Sequence, residues 1–141
     1  MVEVMVVVVI IGLLAAVAIP AYRKSVQKSN RSVAKAGLLD LASREEKYYS
    51  INYNYVNTMG GLFGTTSTTA VSVNVPSLGT PLYTITVTSL TAQSSAAGVV
   101  TPAGYTLTAT AVNGQASDSC GNFTLTNTGA QAVTGTNSGC W

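Results

Sequence analysis

The chain has 141 residues, which is enough for one modest domain and one long additional element. Apolar residues make up 47% of it and charged residues 9%, and the net charge of +2 is too small to predict a nucleic-acid partner by itself. There is no histidine, the commonest general base and metal ligand. Glu45 and Glu46 are adjacent on a predicted helix and point about 100° apart, a poor arrangement for a catalytic pair. We therefore expect no enzyme, no metal or other cofactor, and no small-molecule substrate.

The first twenty residues form an apolar run in which Glu3 is the only charged residue. Residues 4–19 are uncharged, and this length is at the short end for a membrane-spanning helix, which needs about 20 residues. A carboxylate in such a run is costly to bury without a partner. A cleaved signal peptide fits poorly, because a basic segment and a cleavage site are both missing. A plain signal anchor with an incidental glutamate remains an alternative to a subunit that leaves the membrane and polymerises.

The apolar run continues into an amphipathic pattern, so that residues 1–50 predict one helix about 70 Å long. Gly12 and Pro20 bracket a weak stretch of this helix, where the chain is expected either to kink or to unwind. The apolar residues in the second half of this helix predict a stripe that is buried against a domain. The basic residues on its other faces predict a solvated surface or a contact with lipid headgroups. A DNA-binding stripe is a more specific alternative. The stripe residues are Val26, Val33, Ala34, Gly37, Leu38, Leu41, Ala42, Tyr48 and Tyr49, and the basic residues are Arg23, Lys24, Lys28, Arg31, Lys35, Arg44 and Lys47.

After a predicted loop at 51–69, the hydrophobic period changes from helical spacing to two. Apolar residues alternate with threonine in the stretches 83–88, 105–110 and 123–126, and a shorter candidate strand covers 70–75. Turn residues separate the strands, as at 94–98, 113–114 and 127–129. One apolar face needs a cover, which the amphipathic helix supplies, so the predicted fold is α+β with an antiparallel sheet of about four strands. The predicted domains are the apolar helix half 1–20 and a head of residues 21–141, in which the sheet and disulfide loop occupy 70–141.

The two cysteines, Cys120 and Cys140, are separated by nineteen residues. In an extracytoplasmic protein this spacing predicts a disulfide that closes a C-terminal loop, worth roughly 3 kcal/mol. Two free thiols are the alternative, and a zinc site is disfavoured because neither histidine nor a CxxC pair is available. Asp118, close to the first cysteine, is expected to form a turn or cap.

The N-terminal segment MVEVMVVVVIIGLLAAVAIPAYRK resembles that of type IV pilins, in which Glu3, Gly12 and Pro20 keep the family's mutual spacing. The stretches ASREEKYYSINYNYV and SDSCGNFTLTNTGAQ, with the terminal GCW, are similar to PilE-like (type IVa) pilins of Gram-negative bacteria. The family's glutamate is usually fifth in the mature protein and follows a methylated terminus. Because Glu3 is third here, either two mature residues precede Met1 or the terminus of this pilin-like chain is unusual.

The resemblance implies a structural subunit of an extracellular pilus used for motility, adhesion or DNA uptake. The subunit would be anchored in the inner membrane through residues 1–20, processed by prepilin peptidase and passed to the pilus assembly machinery. It would then polymerise helix to helix, with Glu3 neutralised by an N-terminal amine and with Gly12 and Pro20 shaping the assembly helix. Three alternatives stay open: a low-abundance minor pilin that primes assembly or binds a ligand such as DNA, a secretion-system pseudopilin, and a monomeric membrane-anchored binding domain.

Overall fold

The computed structural model describes residues 2–90, 93–94, 100–101, 103–137 and 139–141. The predicted turn at 94–98 falls almost entirely outside these residues. Within these described residues, two α-helices and a 3-10 helix accompany seven strands. The helices are α1 (Val2–Asn52), α2 (Met59–Phe63) and the 3-10 helix (Asn113–Gln115). The strands are β1 (Ser72–Val75), β2 (Tyr83–Leu90), β3 (Gln93–Ser94), β4 (Val100–Thr101), β5 (Gly104–Ala111), β6 (Phe123–Thr126) and β7 (Gln131–Val133).

Five strands form one antiparallel sheet in the order β1-β2-β5-β6-β7, and β3 pairs with β4 separately. The register confirms the alternation expected from the sequence, because Ile85 pairs with Ala109 and Leu107 pairs with Leu125. These side chains are buried on one face, whereas the threonines that alternate with them lie on the other. The α+β architecture is therefore the predicted one, with a sheet one strand larger than expected.

The second half of α1 covers the apolar face of the sheet. Ala34, Leu38 and Leu41 lie on one stripe of the helix and are almost completely buried. Two predicted members of that stripe, Val26 and Tyr49, are instead exposed. Val26 precedes the part of the helix that contacts the sheet, and Tyr49 lies at its end, stacked on Tyr55 with 4.7 Å between ring centroids.

Gly37 allows α1 to approach the sheet closely. A Cβ added at this position would lie 2.7 Å from Cδ1 of Ile85 and 3.0 Å from Cγ1 of Val75. Ile85 is completely buried and Val75 is half-buried against the core, so a larger residue would push the helix away from β1 and β2. The close approach of α1 to the sheet thus explains why a glycine occupies this position on the buried stripe.

The sequence patterns predict none of α2, β3, β4 and β7, and the structure explains two of these. The predicted loop at 51–69 contains α2, whose sequence MGGLF carries two glycines that disfavour a helix. It forms because Thr58 caps it by accepting a hydrogen bond from the Gly61 amide, and because Leu62 is buried. β7 is a three-residue edge strand whose Val133 pairs with Phe123, too short to show a period.

The helix α1 runs unbroken for 51 residues, about 75 Å, through both Gly12 and Pro20. The isolated subunit therefore shows a helical conformation in the stretch that the sequence marks as weak. Unwinding of residues 12–19 within a filament stays a prediction.

Candidate functional site: an apolar helix half and a basic cleft

The first half of α1 extends from the head without cover. Its most apolar 18-residue window has a mean hydropathy of 3.0 and none of the window is buried, so α1 is long and apolar enough to cross a membrane. Ten large apolar side chains between Val2 and Leu13 are each at least half exposed. Burying a side chain of this size is worth about 1.5–3 kcal/mol, so the segment has a strong drive to associate with lipid or protein.

The predicted assembly residues all lie on this half of α1. Glu3 is exposed near its start, and a Cβ at Gly12 would meet nothing within 4 Å. Pro20 lies where the apolar run ends, just before Tyr22 and Arg23. The structure thus brings none of the three residues against the head. Contacts within the described chain assign no role to these residues, and their part in assembly stays a prediction.

A buried ion pair joins α1 to the disulfide region. Arg31 donates from Nε to Oδ2 of Asp118 at 2.8 Å and from Nη2 to Oδ1 at 2.6 Å, which is a bidentate pair. Gln115 Nε2 also donates to Oδ2, and the Cys120 amide donates to Oδ1. The Asp118 side chain is completely buried, and Arg31 is only 18% exposed. We call these residues the Arg31–Asp118 clamp.

The clamp corrects one expectation and extends another. The sequence placed Arg31 on a solvated face, whereas it pairs with Asp118 across 87 positions of the chain. Asp118 makes the expected local turn contact, because its Oδ1 accepts from the Cys120 amide, and it also binds Arg31. Burial acts to raise the pKa of Asp118, but the hydrogen bonds from Arg31 and the Cys120 amide outweigh it and leave the pKa lowered. The same pairing raises the pKa of Arg31. Both groups are therefore charged at neutral pH, and their charges cancel.

Beside the clamp, a cleft of about 420 Å³ lies between α1 and a loop region formed by residues 117–119 and Asn137. Four residues of the helix and three of the loop region line it, and we call it the basic cleft. The lining residues are Lys24, Gln27, Lys28 and Arg31 on α1, with Ser117, Ser119 and Asn137 opposite. Asn137 donates to Ser119 Oγ at 2.7 Å, and Gln27 donates to Ser117 Oγ at 3.3 Å.

All seven lysines and arginines of the chain lie on α1, and Asp118 is the only charged residue after Lys47. Two of the seven are paired with acids, Arg31 with Asp118 and Arg44 with Asp40. The sheet surface therefore carries no positive charge, and the cations are concentrated along one helix. Among the described residues, no three His, Cys, Asp or Glu side chains come together as metal ligands.

The disulfide links Cys120 to Cys140, as predicted, with 5.8 Å between their Cα atoms. The enclosed segment carries β6 and β7. Trp141 follows immediately. Its ring packs edge-to-face on Phe123 with centroids 5.6 Å apart, and its Nε1 donates to the Ala132 carbonyl at 2.9 Å. The bridge thereby holds the C-terminus against the sheet.

Removing this bridge is expected to destabilise the head. The disulfide closes a loop with a sequence separation of 20. Its loss should lower the free energy of unfolding by about 3 kcal/mol. The test is urea unfolding of the full chain in mild detergent, comparing the wild type with the double variant C120S/C140S. Trp141 is the single tryptophan, so its fluorescence reports the C-terminal region directly. Equal unfolding midpoints would contradict the prediction.

Glu45 was not identified from the sequence as a buried residue. Its side chain is on the buried stripe, one turn after Leu41, and its Oε2 accepts a hydrogen bond from the Val56 amide at 3.1 Å. Its Oε1 is buried, and no partner for it occurs within the described part of the chain. Burial raises the pKa of Glu45 to about 7, with the charge of Glu46 adding to this and the Val56 bond opposing it. The carboxyl fixes the turn that follows α1.

The raised pKa predicts a pH dependence. A carboxyl with a higher pKa in the folded state binds more protons when folded, so the free energy of unfolding falls as pH rises from about 4.5 to about 7. This shift in the pKa of Glu45 corresponds to a decrease of up to about 3 kcal/mol in the free energy of unfolding. In Glu45→Gln this slope should disappear, as measured by urea midpoints at pH 5 and pH 8. If the variant retained the wild-type slope, another group would be responsible.

Comparison with known proteins identifies the class. Residues 20–124 match a family model described as "Type IV minor pilin ComP, DNA uptake sequence receptor". The chain belongs to this family of type IV pilins. The match covers most of the head and does not include Glu3 or Gly12. No curated protein matches the chain.

The fold of this pilin is also that of a solved pilin. A structure titled "High-Resolution Structure of a Type IV Pilin from Shewanella oneidensis" shares 25% sequence identity with it and has a TM-score of 0.50. The similarity covers 82% of this chain and 97% of that one. The long helix on an antiparallel sheet, closed by a C-terminal disulfide, is thus the type IV pilin fold.

Proposed function

We propose that this pilin is a structural subunit of an extracellular type IV pilus and polymerises through the first half of α1. In this proposal residues 1–20 form the membrane and filament-core segment, and residues 21–141 form the head. The exposure of the apolar half is the observation that carries the proposal, because none of its 18-residue window is buried within the chain. Prepilin peptidase and the assembly machinery would act on the membrane-anchored form.

The free energies favour two successive environments for this helix. In the inner membrane, lipid covers the apolar side chains, but Glu3 near the start has no hydrocarbon partner. In a filament, neighbouring helices cover the same side chains, and an N-terminal amine can pair with Glu3. Since a buried carboxylate without a partner costs several kcal/mol, this pairing would also set the register between subunits.

A second candidate is a low-abundance minor pilin that receives DNA, and the description of the matching family favours it. DNA binding depends on cations that neutralise phosphates. In this pilin those cations lie on α1, whereas the sheet surface has none, so a DNA site on the sheet would lack electrostatic support. A pseudopilin is disfavoured by the disulfide between Cys120 and Cys140, which members of that class generally lack.

Mass spectrometry of pili sheared from the source cells separates these candidates. A structural subunit should be the dominant protein, with an intact disulfide and a methylated terminus. A trace amount beside another dominant pilin would favour the minor-pilin candidate, and complete absence from pili would favour a monomeric membrane-anchored protein. Binding of this chain to duplex DNA, with an affinity that falls steeply as salt rises, would be the matching assay for the DNA candidate.

A further inference from the structure

We propose that the basic cleft binds the phosphate of an anionic phospholipid headgroup while the subunit is held in the membrane. The inference rests on the proposed membrane-anchored stage. It assigns a ligand to a cleft of about 420 Å³ between α1 and the disulfide region. The ligand chemistry is a phosphate anion, and the position of the cleft argues for a lipid as its source.

The charges around the cleft favour an anion. Lys24 and Lys28 are exposed, spaced one helical turn apart on the same face, and form no ion pair with any described residue. Arg31 is already neutralised by Asp118. The cleft therefore keeps a net charge of two positive units, contributed by the two lysines.

The opposite wall supplies hydrogen-bond donors. Ser119 Oγ accepts from Asn137 and Ser117 Oγ accepts from Gln27, so each hydroxyl keeps its own hydrogen for a further acceptor. Two lysines and two hydroxyl donors that line one cleft match the several acceptor oxygens of a phosphate.

The end of the cleft nearest the membrane, at Lys24, lies at the height of the headgroup layer along α1. The apolar run ends at Ile19, and Lys24 follows about 7 Å further along the axis. The polar layer of a bilayer is of the order of 5–8 Å thick on each side of the hydrocarbon core. Helical side chains tilt toward the N-terminus, so Lys24 and Lys28 extend back toward the membrane surface.

The test uses the full chain in nanodiscs of phosphatidylcholine that contain increasing amounts of phosphatidylglycerol. Native mass spectrometry counts the phospholipids that stay bound after release into mild detergent. In K24Q/K28Q, the apparent dissociation constant for phosphatidylglycerol should rise about thirty-fold, or about fivefold for each lysine. Glutamine keeps the helix propensity of lysine, and K47Q on the same helix is the matched control, expected to match the wild type.

A second variant separates a built cleft from general attraction to a charged surface. Ser117→Ala removes one donor without changing the charge, and we expect retention to weaken about fivefold. Equal retention in K24Q/K28Q and K47Q would overturn the proposal, as would a Ser117→Ala variant that behaves as wild type. An unchanged circular dichroism spectrum and an intact disulfide exclude misfolding as the cause of any loss.

Soluble ligands distinguish the sources of phosphate. Inorganic phosphate or glycerol 3-phosphate that displaced the lipid at equal concentration would make the cleft a free-phosphate site and overturn the lipid assignment. Duplex DNA that competed more strongly than phosphatidylglycerol would assign the cleft to DNA. The wild-type subunit separates the two inferences. Wild-type subunit that forms normal pili but retains no phosphatidylglycerol would overturn only the lipid assignment. Wild-type subunit that retains phosphatidylglycerol but is absent from sheared pili would overturn only the proposed function.

Discussion

Replacing Asp118 by asparagine is expected to lower the free energy of unfolding by about 3–5 kcal/mol. Asparagine has nearly the same shape but no charge, so it leaves the guanidinium of Arg31 without its counterion at a site where that side chain is only 18% exposed. One of the two Asp118 oxygens also becomes an amide donor that faces donors from Gln115 or Cys120. The measurement is urea unfolding of the full chain in mild detergent.

A matched control for Asp118→Asn lies on the same helix as Arg31. Asp40 pairs with Arg44 at 2.9 Å, but their side chains are 59% and 41% exposed, and water screens the pair. Asp40→Asn should therefore change the free energy of unfolding by less than about 1 kcal/mol. If the two variants were equally stable, burial would not be the reason for the strength of the Arg31–Asp118 clamp.

The pH dependence of the clamp runs opposite to that of Glu45. Because the pKa of Asp118 is lowered in the folded state, its stabilising contribution is complete above the unfolded value of 3.8 and is lost as pH falls through the folded value. Glu45 destabilises the fold as pH rises toward 7. The wild type should consequently be most stable at mildly acidic pH, between these two transitions. In Asp118→Asn, the decrease in stability at acidic pH should disappear, and the decrease toward pH 7 should remain.

The fold could be predicted from the sequence because its signals are local. Alternation of apolar residues with threonine marks β2, β5 and β6, and the helical spacing of Leu38 and Leu41 marks the covering face of α1. Short elements such as α2 and β7 depend on a cap or on an edge pairing, and they carry no period. They form only because the larger sheet and helix offer a surface to pack on.

The clamp and Glu45 could not be predicted from periodicity, because a helical pattern does not say which distant residue meets a charged side chain. Arg31 and Asp118 are 87 residues apart, and nothing local links them. One signal was available. Asp118 is the only charged residue after Lys47, so a cation from α1 was its only possible partner if it were buried. Likewise, Glu45 continues the spacing of Leu38 and Leu41, which placed it on the buried stripe.

The apolar half of α1 behaves differently, since its partners lie outside the chain. The sequence could mark Glu3, Gly12 and Pro20 as unusual, and the structure adds that the first two make no packing contact with the head. Contacts with neighbouring subunits cannot be derived from one chain. The role of these residues in assembly is therefore a proposal that a variant must test.

Replacing Glu3 by valine is expected to reduce pili on the cell surface by a factor of about one hundred or more. The proposed partner of Glu3 is an N-terminal amine in the filament core, and removing the carboxylate would leave that amine buried without a counterion. The cost of breaking a buried pair in this way is about 3–5 kcal/mol per subunit, which corresponds to a factor of at least one hundred in the subunit concentration needed for growth. The assay is immunoblotting of sheared pili.

The membrane fraction distinguishes failed assembly from failed insertion in the Glu3→Val variant. Valine removes a charge from an apolar helix, so the level of subunit in the inner membrane should be unchanged or higher. Asp40→Asn is again the matched control, since it removes an exposed acid from the head and should leave both pili and membrane levels as in the wild type. Normal pili from Glu3→Val would refute charge pairing in the core while leaving the apolar packing of α1 as the basis of assembly. Loss of the variant from the membrane as well as from pili would instead place the requirement for Glu3 before polymerisation.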